Sequence, residues 1–345
     1  MVRLMMRRML CLLLCVLGAA TAQARCLQPG LLQGVNLAGP EFNAGQLPGV
    51  LNKDYVYPKD SAFDYFAAIG ANTIRLPFRW ERIQPSLFGA LDAAELQQIT
   101  TAVVMAKSRG MCLILDVHNY GTYRGKAIGT PEVPMRAFID LWLRLHAVFN
   151  DPRVTMFGLM NEPSKLPIET WAKIAQQTVQ VLRSKGAQNL ILVSGGRWSG
   201  VHEWEKVIGE TSNAQAFAQF QDPLQRTWLE VHQYADQYYA GTGQTCVPAE
   251  KIAPLFENIT RWAKTHQQRL FLGEFGTPAN AACLAALEAM LAQMQDARVW
   301  RGWTYWAAGS WWGTYPLSIE PRNGQDAPQT AVLKKYFSAP VTSTP

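Results

Sequence analysis

The stretch VTMFGLMNEP, residues 154–163, places a continuous apolar run directly before the acidic residue Glu162. The stretch RLFLGEFG, residues 269–276, repeats this arrangement around Glu274. A short, unbroken apolar run is typical of a strand that is buried on both faces, as in a parallel sheet covered by helices. We therefore expect each glutamate at the carboxyl end of a buried parallel strand.

Apolar runs of the same kind recur along the chain and alternate with helical patterns. Eight strands are predicted, at residues 34–38, 73–77, 112–117, 155–160, 190–194, 228–231, 270–273 and 302–306. Amphipathic helices are predicted at 96–108, 135–149, 171–185 and 282–295, the third ending at Gly186. This alternation predicts an α/β fold, a (β/α)8 TIM barrel in a single domain. A doubly wound open sheet is the alternative, but the chain lacks the Gly-x-Gly-x-x-Gly turn of its dinucleotide-binding version.

The two ends of the chain differ from residues 25–337, which we interpret as one catalytic domain. Residues 1–24 combine three arginines, an apolar run and the small-residue site Ala22-Gln23-Ala24, the pattern of a secretory signal peptide. The segment is short for a membrane span, and an anchor that is never cut is the alternative. The mature protein is therefore expected to be secreted, to the extracellular space or the periplasm. Residues 338–345 are polar and contain proline, which predicts a flexible tail.

The charge balance argues against nucleic acid as a partner. The 345 residues include 32 basic and 26 acidic side chains, a net charge of +6. Removal of the three arginines in the signal peptide leaves +3, which is too weak and dispersed to bind nucleic acid. After residue 24 no stretch is long and apolar enough to enter a membrane. The hydrophobic fraction of 48% is ample for one large core, and we expect a monomer.

Four cysteines remain after the signal peptide: Cys26, Cys112, Cys246 and Cys283. Disulfides are permitted in an exported protein, but four cysteines allow three pairings and the sequence does not choose among them. Cys112 opens an apolar run, which is typical of a buried free thiol. Cys246 and Cys283 lie in more polar segments on either side of the strand that carries Glu274, which favours a bridge between them.

Polar residues follow the predicted strands almost one by one. In a barrel of this kind, chemistry gathers at the carboxyl ends of the strands. One buried polar residue is usually a satisfied packing group, but several that converge from six strands each cost desolvation unless they are paired. A shared polar cleft accounts for all of them, and two facing carboxylates suffice to hydrolyse a glycosidic bond. The residues are Arg75, His118, Asn119, Asn161, Glu162, His232, Tyr234, Glu274 and Trp306.

This ordered set of motifs resembles glycoside hydrolase family 5, the cellulase family. The motifs are Arg75-Leu-Pro, Asp116-Val-His-Asn-Tyr120, Asn161-Glu-Pro163, His232-Gln-Tyr234, Gly273-Glu-Phe-Gly276 and the strand that ends at Trp306. Residues 34–39, 308–310 and 314–315 look closest to the secreted endo-β-1,4-glucanase branch, which often has a disulfide near the positions of Cys246 and Cys283. Close relatives often have Thr-Glu-Thr-Gly at 273–276; this departure keeps the glutamate but puts the shape of a subsite in doubt.

The resemblance implies a retaining double displacement, for which the two carboxyl groups must lie about 5–5.5 Å apart. Glu162 would be the general acid and base, and Glu274 the nucleophile. Arg75 would keep Glu274 charged, because a nearby cation favours the ionised carboxylate. Tyr234 would donate a hydrogen bond to the same glutamate. A purely structural ion pair is the alternative for Arg75.

The other polar residues would support these steps. His232 would polarise the acid or the tyrosine, and Asn161 would hold the sugar 2-hydroxyl, a contact that strengthens in the transition state. His118 and Asn119 would line the sugar site beside the scissile bond. Strand alternation points residues two positions apart to the same face, so the carboxylates two positions before each histidine are interpreted as supporting partners. They are Asp116 and Glu230.

Tryptophans in the loops after the strands can serve as platforms, because the C–H faces of pyranose rings stack on indole. The four candidates are Trp198, Trp306, Trp311 and Trp312. Trp142 and Trp171 have helical spacing with other apolar residues and are expected in the core. The positions of Trp80 and Trp204 stay open.

These features predict an exported endo-β-1,4-glucanase with a β-glucan polysaccharide, such as cellulose, as its substrate. A β-mannanase or another β-glucanase of the same family is an alternative, since only the subsite shapes differ. A carbohydrate-binding barrel without catalysis is another. Hydrolysis by two carboxylates needs no metal or organic cofactor, and we expect none. A metal-dependent hydrolase is weakly supported, because His118 and His232 lack carboxylates at ligand spacing.

Overall fold

The computed structural model describes residues 25–28 and 30–337, so the predicted signal peptide at 1–24 and the predicted tail at 338–345 lie outside the described residues. Eight parallel strands close into a barrel, in which β1 pairs with both β2 and β8. The predicted (β/α)8 barrel is confirmed, and every predicted strand overlaps an observed one. The strands are Leu32–Leu37 (β1), Thr73–Phe78 (β2), Cys112–Val117 (β3), Thr155–Gly158 (β4), Ile191–Ser194 (β5), Thr227–His232 (β6), Leu270–Glu274 (β7) and Trp300–Ala308 (β8).

Helices connect the strands and cover the outside of the barrel. The four predicted helices correspond to α3, α4, α5 and α8 below. Among the described residues, no helix has the length and apolar character needed to span a membrane. The helices are Asp60–Ala68 (α1), Trp80–Ile83 (α2), Ala93–Ser108 (α3), Met135–Val148 (α4), Ile168–Ser184 (α5), Asn213–Ala216 (α6), Ala253–Thr265 (α7), Ala281–Gln293 (α8) and Pro328–Lys334 (α9).

The main core lies between the strands and the helices. Trp142 on α4 and Trp171 on α5 are fully buried in it, as their helical spacing predicted. Trp80 and Trp204 are buried there too. These large side chains fill the layer between barrel and helices, so they are not available as sugar platforms.

A second core fills the barrel interior near the amino-terminal ends of the strands. Its members come from six strands and include Leu32, Ile114, Met156, Trp228 and Phe271. Apolar side chains close this end of the interior. The polar residues near the carboxyl ends of the strands are therefore shielded from water on that side. Hydrogen bonds and ion pairs are stronger in such a setting than in water.

Two disulfides join segments that are distant in the sequence. Cys246 is bonded to Cys283, as the polar surroundings and the family resemblance favoured. Cys26 is bonded to Cys112. The interpretation of Cys112 as a free thiol was therefore wrong: the segment before β1 crosses beneath the barrel and brings Cys26 to the first residue of β3.

Candidate active site

Arg75 on β2 lies at the centre of the polar end of the barrel, with its side chain fully buried. Its Nη1 donates to Asn36 Oδ1 at 2.9 Å and to Glu274 Oε1 at 3.0 Å. Its Nη2 lies 2.8 Å from both Asn161 Oδ1 and Glu230 Oε1. This arginine on β2 therefore contacts groups from four other strands or their ends. Both interpretations of Arg75 apply, because it forms a structural ion pair with Glu230 and is also a direct partner of Glu274.

Glu274 is the last residue of β7, and each of its oxygens accepts a hydrogen bond. Arg75 donates to Oε1, and the hydroxyl of Tyr234 donates to Oε2 at 2.9 Å. The carboxylate is nearly buried, at 4% exposure. Two donors, one of them a full positive charge, hold it in one orientation.

Neither of the two residues that flank Glu274, Gly273 and Phe275, lines the cleft. Phe275 is fully buried and packs edge-on against Trp303 and Tyr305, with ring centroids 5.6 and 5.5 Å away. At Gly273, a Cβ would lie 2.0 Å from Glu230 Oε1. Phe275 therefore serves packing, whereas Gly273 leaves room for the carboxylate of Glu230.

Glu162 follows β4 and faces Glu274 across the cleft. One oxygen of each carboxylate and one nitrogen of His232 all lie within 4.8 Å of one another. Glu162 has φ of +39°, in the left-handed region that costs a non-glycine residue about 1–3 kcal/mol. The turn is held because the Asn161 N–H donates to Val117 O at 2.9 Å and the Ser164 N–H donates to Glu162 O at 2.5 Å.

The protonation of Glu162 is shifted by its surroundings. Burial raises the pKa of its carboxyl to about 7; the hydrogen bond from His232 opposes the rise and the charge of Glu274 adds to it. At neutral pH the group therefore holds a proton in a large fraction of molecules. A carboxyl group that keeps its proton at this pH is suited to act as a general acid.

His232 lies between two carboxylates. Its Nδ1 is 2.8 Å from Glu162 Oε1 and its Nε2 is 3.2 Å from Glu230 Oε1. Burial lowers the pKa of His232, but Glu274, Glu162 and Glu230 outweigh it and raise the pKa to about 10. The imidazolium consequently donates a hydrogen bond on each side, and it orients Glu162 with one oxygen left for the cleft.

His118, which follows β3, differs from His232 in its protonation state. Burial lowers the pKa of His118 to about 3, so the ring is neutral. Its Nδ1 lies 2.8 Å from Asp116 Oδ2 and carries the proton toward that carboxylate. Its Nε2 then accepts from Asn161 Nδ2 and from the hydroxyl of Tyr120, each at 3.2 Å. Asn161 is thereby fixed from both sides, with one amide hydrogen still free.

A cleft of about 950 Å³ lies over this cluster and is lined by His118, Glu162, His232 and Glu274, and aromatic side chains form much of its walls. Trp306 stacks on His118 with ring centroids 5.5 Å apart, and Trp312 stacks on Tyr315 at 4.4 Å. On the side of β5, Trp198 is 47% exposed. Such flat, partly open rings are suited to the apolar faces of sugar units.

Asn119 and Trp311 differ from the other predicted contact residues in what surrounds them. Asn119 borders the cleft, but its amide is engaged by protein: Nδ2 donates to Glu81 at 2.8 Å and Oδ1 accepts the N–H of Trp80 at 2.8 Å. Trp311 is 40% exposed and lies outside the lining of the cleft, whereas its neighbour Trp312 is part of that lining. Adjacent positions in a loop cannot be told apart by spacing, because no regular period applies there.

Several lining residues were missed. Arg79 directly follows β2, donates from Nη1 to His118 O at 2.5 Å and has an Nη2 without a hydrogen bond among the described residues. Tyr120 follows Asn119, and its position just after a strand could have indicated that it lines the cleft. Tyr239 stacks on His202 at 4.6 Å in loops that carry no motif.

Comparison with known proteins places this site in a family. The model of "Cellulase (glycosyl hydrolase family 5)" matches residues 34–310. A probable endo-β-1,4-glucanase B of Aspergillus oryzae is 34% identical over 294 residues, 84% of this chain and 85% of that protein. Two solved structures are similar throughout. XacCel5A in complex with cellopentaose has a TM-score of 0.86 and 47% identity, and covers 89% of this chain and 99% of that one. Endoglucanase Cel5A of Pseudomonas stutzeri in complex with cellobiose has a TM-score of 0.81 and 34% identity, and covers 94% and 97%.

Proposed function

The chain belongs to the cellulase family, glycosyl hydrolase family 5, and we propose that it is a retaining endo-β-1,4-glucanase that hydrolyses cellulose or related β-glucans. One observation carries the stereochemistry: oxygens of Glu162 and Glu274 lie within 4.8 Å of each other. Retention requires carboxyl groups about 5–5.5 Å apart, whereas inversion needs about 6.5–9.5 Å to admit a water molecule. The short distance between the two oxygens supports retention.

In the first step, an oxygen of Glu274 attacks the anomeric carbon while Glu162 gives its proton to the glycosidic oxygen. The C–O bond to the leaving sugar breaks, its electron pair takes the proton, and a glycosyl ester of Glu274 forms. Arg75 and Tyr234 orient the nucleophile through one hydrogen bond to each oxygen. Asn161 would bind the sugar 2-hydroxyl.

In the second step, Glu162 acts as a base. Formation of the ester removes the charge of Glu274, which is one of the contributions that raise the pKa of Glu162. The pKa of Glu162 therefore falls once the intermediate exists. The carboxylate then takes a proton from water, whose oxygen attacks the anomeric carbon and releases Glu274.

The substrate follows from the cleft and from the relatives. Aromatic side chains, among them Trp198, Trp306 and Trp312, form much of the wall of the cleft and offer flat faces to sugar units. The structurally similar proteins were solved with cellopentaose and cellobiose. Secretion is part of this proposal, supported by the signal-like composition of residues 1–24 and by two disulfides.

A β-mannanase or another β-glucanase remains the second candidate within the same mechanism. A metal-dependent reaction fits the side chains poorly. Glu162, His232 and Glu274 lie close enough together to surround an ion. Both ring nitrogens of His232, however, are engaged by carboxylates, so the protonated ring has no lone pair for a metal.

The test is reducing-sugar release from carboxymethyl-cellulose, mixed-linkage β-glucan, β-mannan, xylan and laminarin, with Glu162→Gln as the blank. Activity on cellulose and mixed-linkage glucan that disappears in the variant is expected. Early proton NMR spectra of the products should show the β-anomer, as retention demands. Activity mainly on mannan or laminarin would contradict the proposed substrate. Products that first appear as the α-anomer would contradict the retaining mechanism. Binding without hydrolysis of any of the five would favour the non-catalytic barrel.

A further inference from the structure

The loop after β6, residues 236–246 (the 236–246 loop), is closed at its base and tied to a helix. Asp236 and Cys246 form an antiparallel bridge, and the N–H of Val247 donates to the carbonyl of Ala235 at 2.7 Å. The disulfide between Cys246 and Cys283 joins the end of the loop to α8. The loop is therefore anchored at both of its ends.

Asp236 organises the interior of this loop. It is only 3% exposed, and its Oδ1 accepts the N–H of Gly241 at 2.8 Å. Its Oδ2 accepts the N–H of Gly243 at 3.3 Å, and its carbonyl accepts the N–H of Tyr239 at 2.9 Å. Hydrogen bonds to an ionised acceptor are about twice as strong as neutral ones, so one carboxylate fixes the path of the turn.

Gly241 lies against the ring of Tyr234. It has φ of +72°, and a Cβ at this position would be 2.8 Å from ring atoms Cδ1 and Cε1. Ordinary contact begins at 3.4 Å, so the ring and the loop backbone would have to separate by a further 0.6 Å. The carbonyl of Gly241 also accepts from the hydroxyl of Tyr315 at 3.3 Å, which holds the backbone in place against the ring.

We infer that the 236–246 loop positions Tyr234 against Glu274, and that Gly241 and Asp236 are positioning residues for hydrolysis. The proposed function makes Glu274 the nucleophile, and the inference rests on that role. The hydroxyl of Tyr234 donates to Glu274 Oε2 at 2.9 Å. A displacement of the ring by several tenths of an ångström weakens this bond, because hydrogen bonds lose strength beyond about 3.2 Å.

The experiment measures kcat and KM for an aryl β-cellobioside with a good leaving group, which depends little on protonation by Glu162. Gly241→Ala is expected to lower kcat roughly tenfold with little change in KM. Tyr234→Phe, which removes the hydroxyl outright, is expected to lower kcat by roughly 10- to 100-fold, the loss of a hydrogen bond to a charged group. Asp236→Ala should resemble Gly241→Ala and also raise KM, because the loop lines the cleft.

Gly209→Ala is the matched control. Gly209 has φ of +74°, nearly that of Gly241, but an added Cβ would meet nothing within 4 Å. It introduces the same backbone strain without a contact, and its kcat is expected to equal that of the wild type. Thermal unfolding of each variant shows how much of any loss is a loss of folded protein.

The double variant of Gly241→Ala and Tyr234→Phe decides between positioning and a general defect. If the loop acts through the tyrosine hydroxyl, the double variant should have the kcat of Tyr234→Phe alone. Losses that multiply would overturn the inference. A crystal structure of Gly241→Ala in which the distance between Tyr234 Oη and Glu274 Oε2 is unchanged would overturn it independently of activity. Failure of the proposed function looks different: Glu274→Ala would then keep wild-type turnover.

Discussion

Glu230 Oε1 occupies the space in which a side chain at residue 273 would begin, since a Cβ on Gly273 would lie 2.0 Å from it. The same oxygen is 2.8 Å from Arg75 Nη2 and 3.2 Å from His232 Nε2. The missing side chain before Glu274 therefore lets one carboxylate oxygen contact both cations of the site.

Gly273→Ala is expected to impair the site of this chain, in which Glu230 occupies the space beside residue 273. The added methyl group must push Glu230 away from Arg75 and His232, and a buried charge that loses its partners costs about 1–3 kcal/mol or more. Urea unfolding should show a loss of that size, and kcat should fall at least tenfold. Gly45→Ala is the control, because a Cβ there meets nothing within 4 Å. Wild-type rates in Gly273→Ala would show that Glu230 can move without consequence.

The activity is expected to decline as the pH rises through about 7. Glu162 must carry a proton to assist the departing sugar, and burial raises its pKa to about 7. The profile of kcat/KM against pH, measured with a soluble cello-oligosaccharide, should have its basic limb near that value. A limb that begins only above pH 9 would mean that another group donates the proton.

The origin of that limb is checked with Glu274→Gln. The charge of Glu274 contributes to the raised pKa of Glu162, so its removal should lower the pKa of Glu162. Carboxyl carbon-13 NMR titration of the variant and the wild type measures this difference directly. Equal values in both proteins would contradict the close coupling of the two carboxylates.

The stability of the fold is expected to peak near pH 5. Burial raises the pKa of Glu41 from 4.5 to about 8 and that of Glu162 from 4.5 to about 7. Burial lowers the pKa of His232, but the carboxylates around it outweigh burial and raise the pKa from 6.5 to about 10. In each case the folded chain holds a proton that the unfolded chain has lost, so stability falls as pH rises from about 4.5 to 10.

His118 acts in the opposite direction at low pH. Burial lowers its pKa from 6.5 to about 3, so between these values the unfolded chain binds the extra proton and stability rises with pH. The melting temperature, measured from pH 3 to pH 10, should rise to a maximum near pH 5 and then decline. A maximum at pH 8 or above would show that the buried carboxyls are ionised at no cost.

The two disulfides are expected to differ in their effect on the activity: both stabilise the fold, but only one also affects kcat. Cys26 and Cys112 are 86 residues apart and close the dry end of the barrel. Replacement of both by alanine should lower the free energy of unfolding by about 2–5 kcal/mol with KM unchanged. Replacement of Cys246 and Cys283 should also lower kcat, because that bond anchors a loop of the cleft. Denaturant titrations and initial rates of both pairs make the comparison; equal effects on kcat would contradict it.

The barrel could be predicted because its signals are local. Strands buried on both faces read as unbroken apolar runs, and all eight were found. The convergence of Arg75, Glu162, His232 and Glu274 follows from the same fact, because the carboxyl ends of parallel strands in a closed barrel meet at one end.

Features that depend on loop paths could not be predicted. Nothing local distinguishes Trp311 from Trp312, and only the course of the loop after β8 turns the second into the cleft. The pairing of Cys26 with Cys112 depends on how the segment before β1 crosses the barrel. The sequence likewise marks Asn119 as polar after a strand, while its partner Glu81 lies on α2, a single helical turn without a periodic pattern.

The shared contacts of Arg75 constrain how this protein can evolve. Its charge is balanced by carboxylates from three different strands, one of which is the proposed nucleophile. A descendant that lost Glu274 would still pair Arg75 with Asp116 and Glu230, so its fold could survive the loss of the proposed nucleophile. Loss of Arg75 would instead leave three buried carboxylates without their common partner, so the arginine is harder to replace than the acid that it orients.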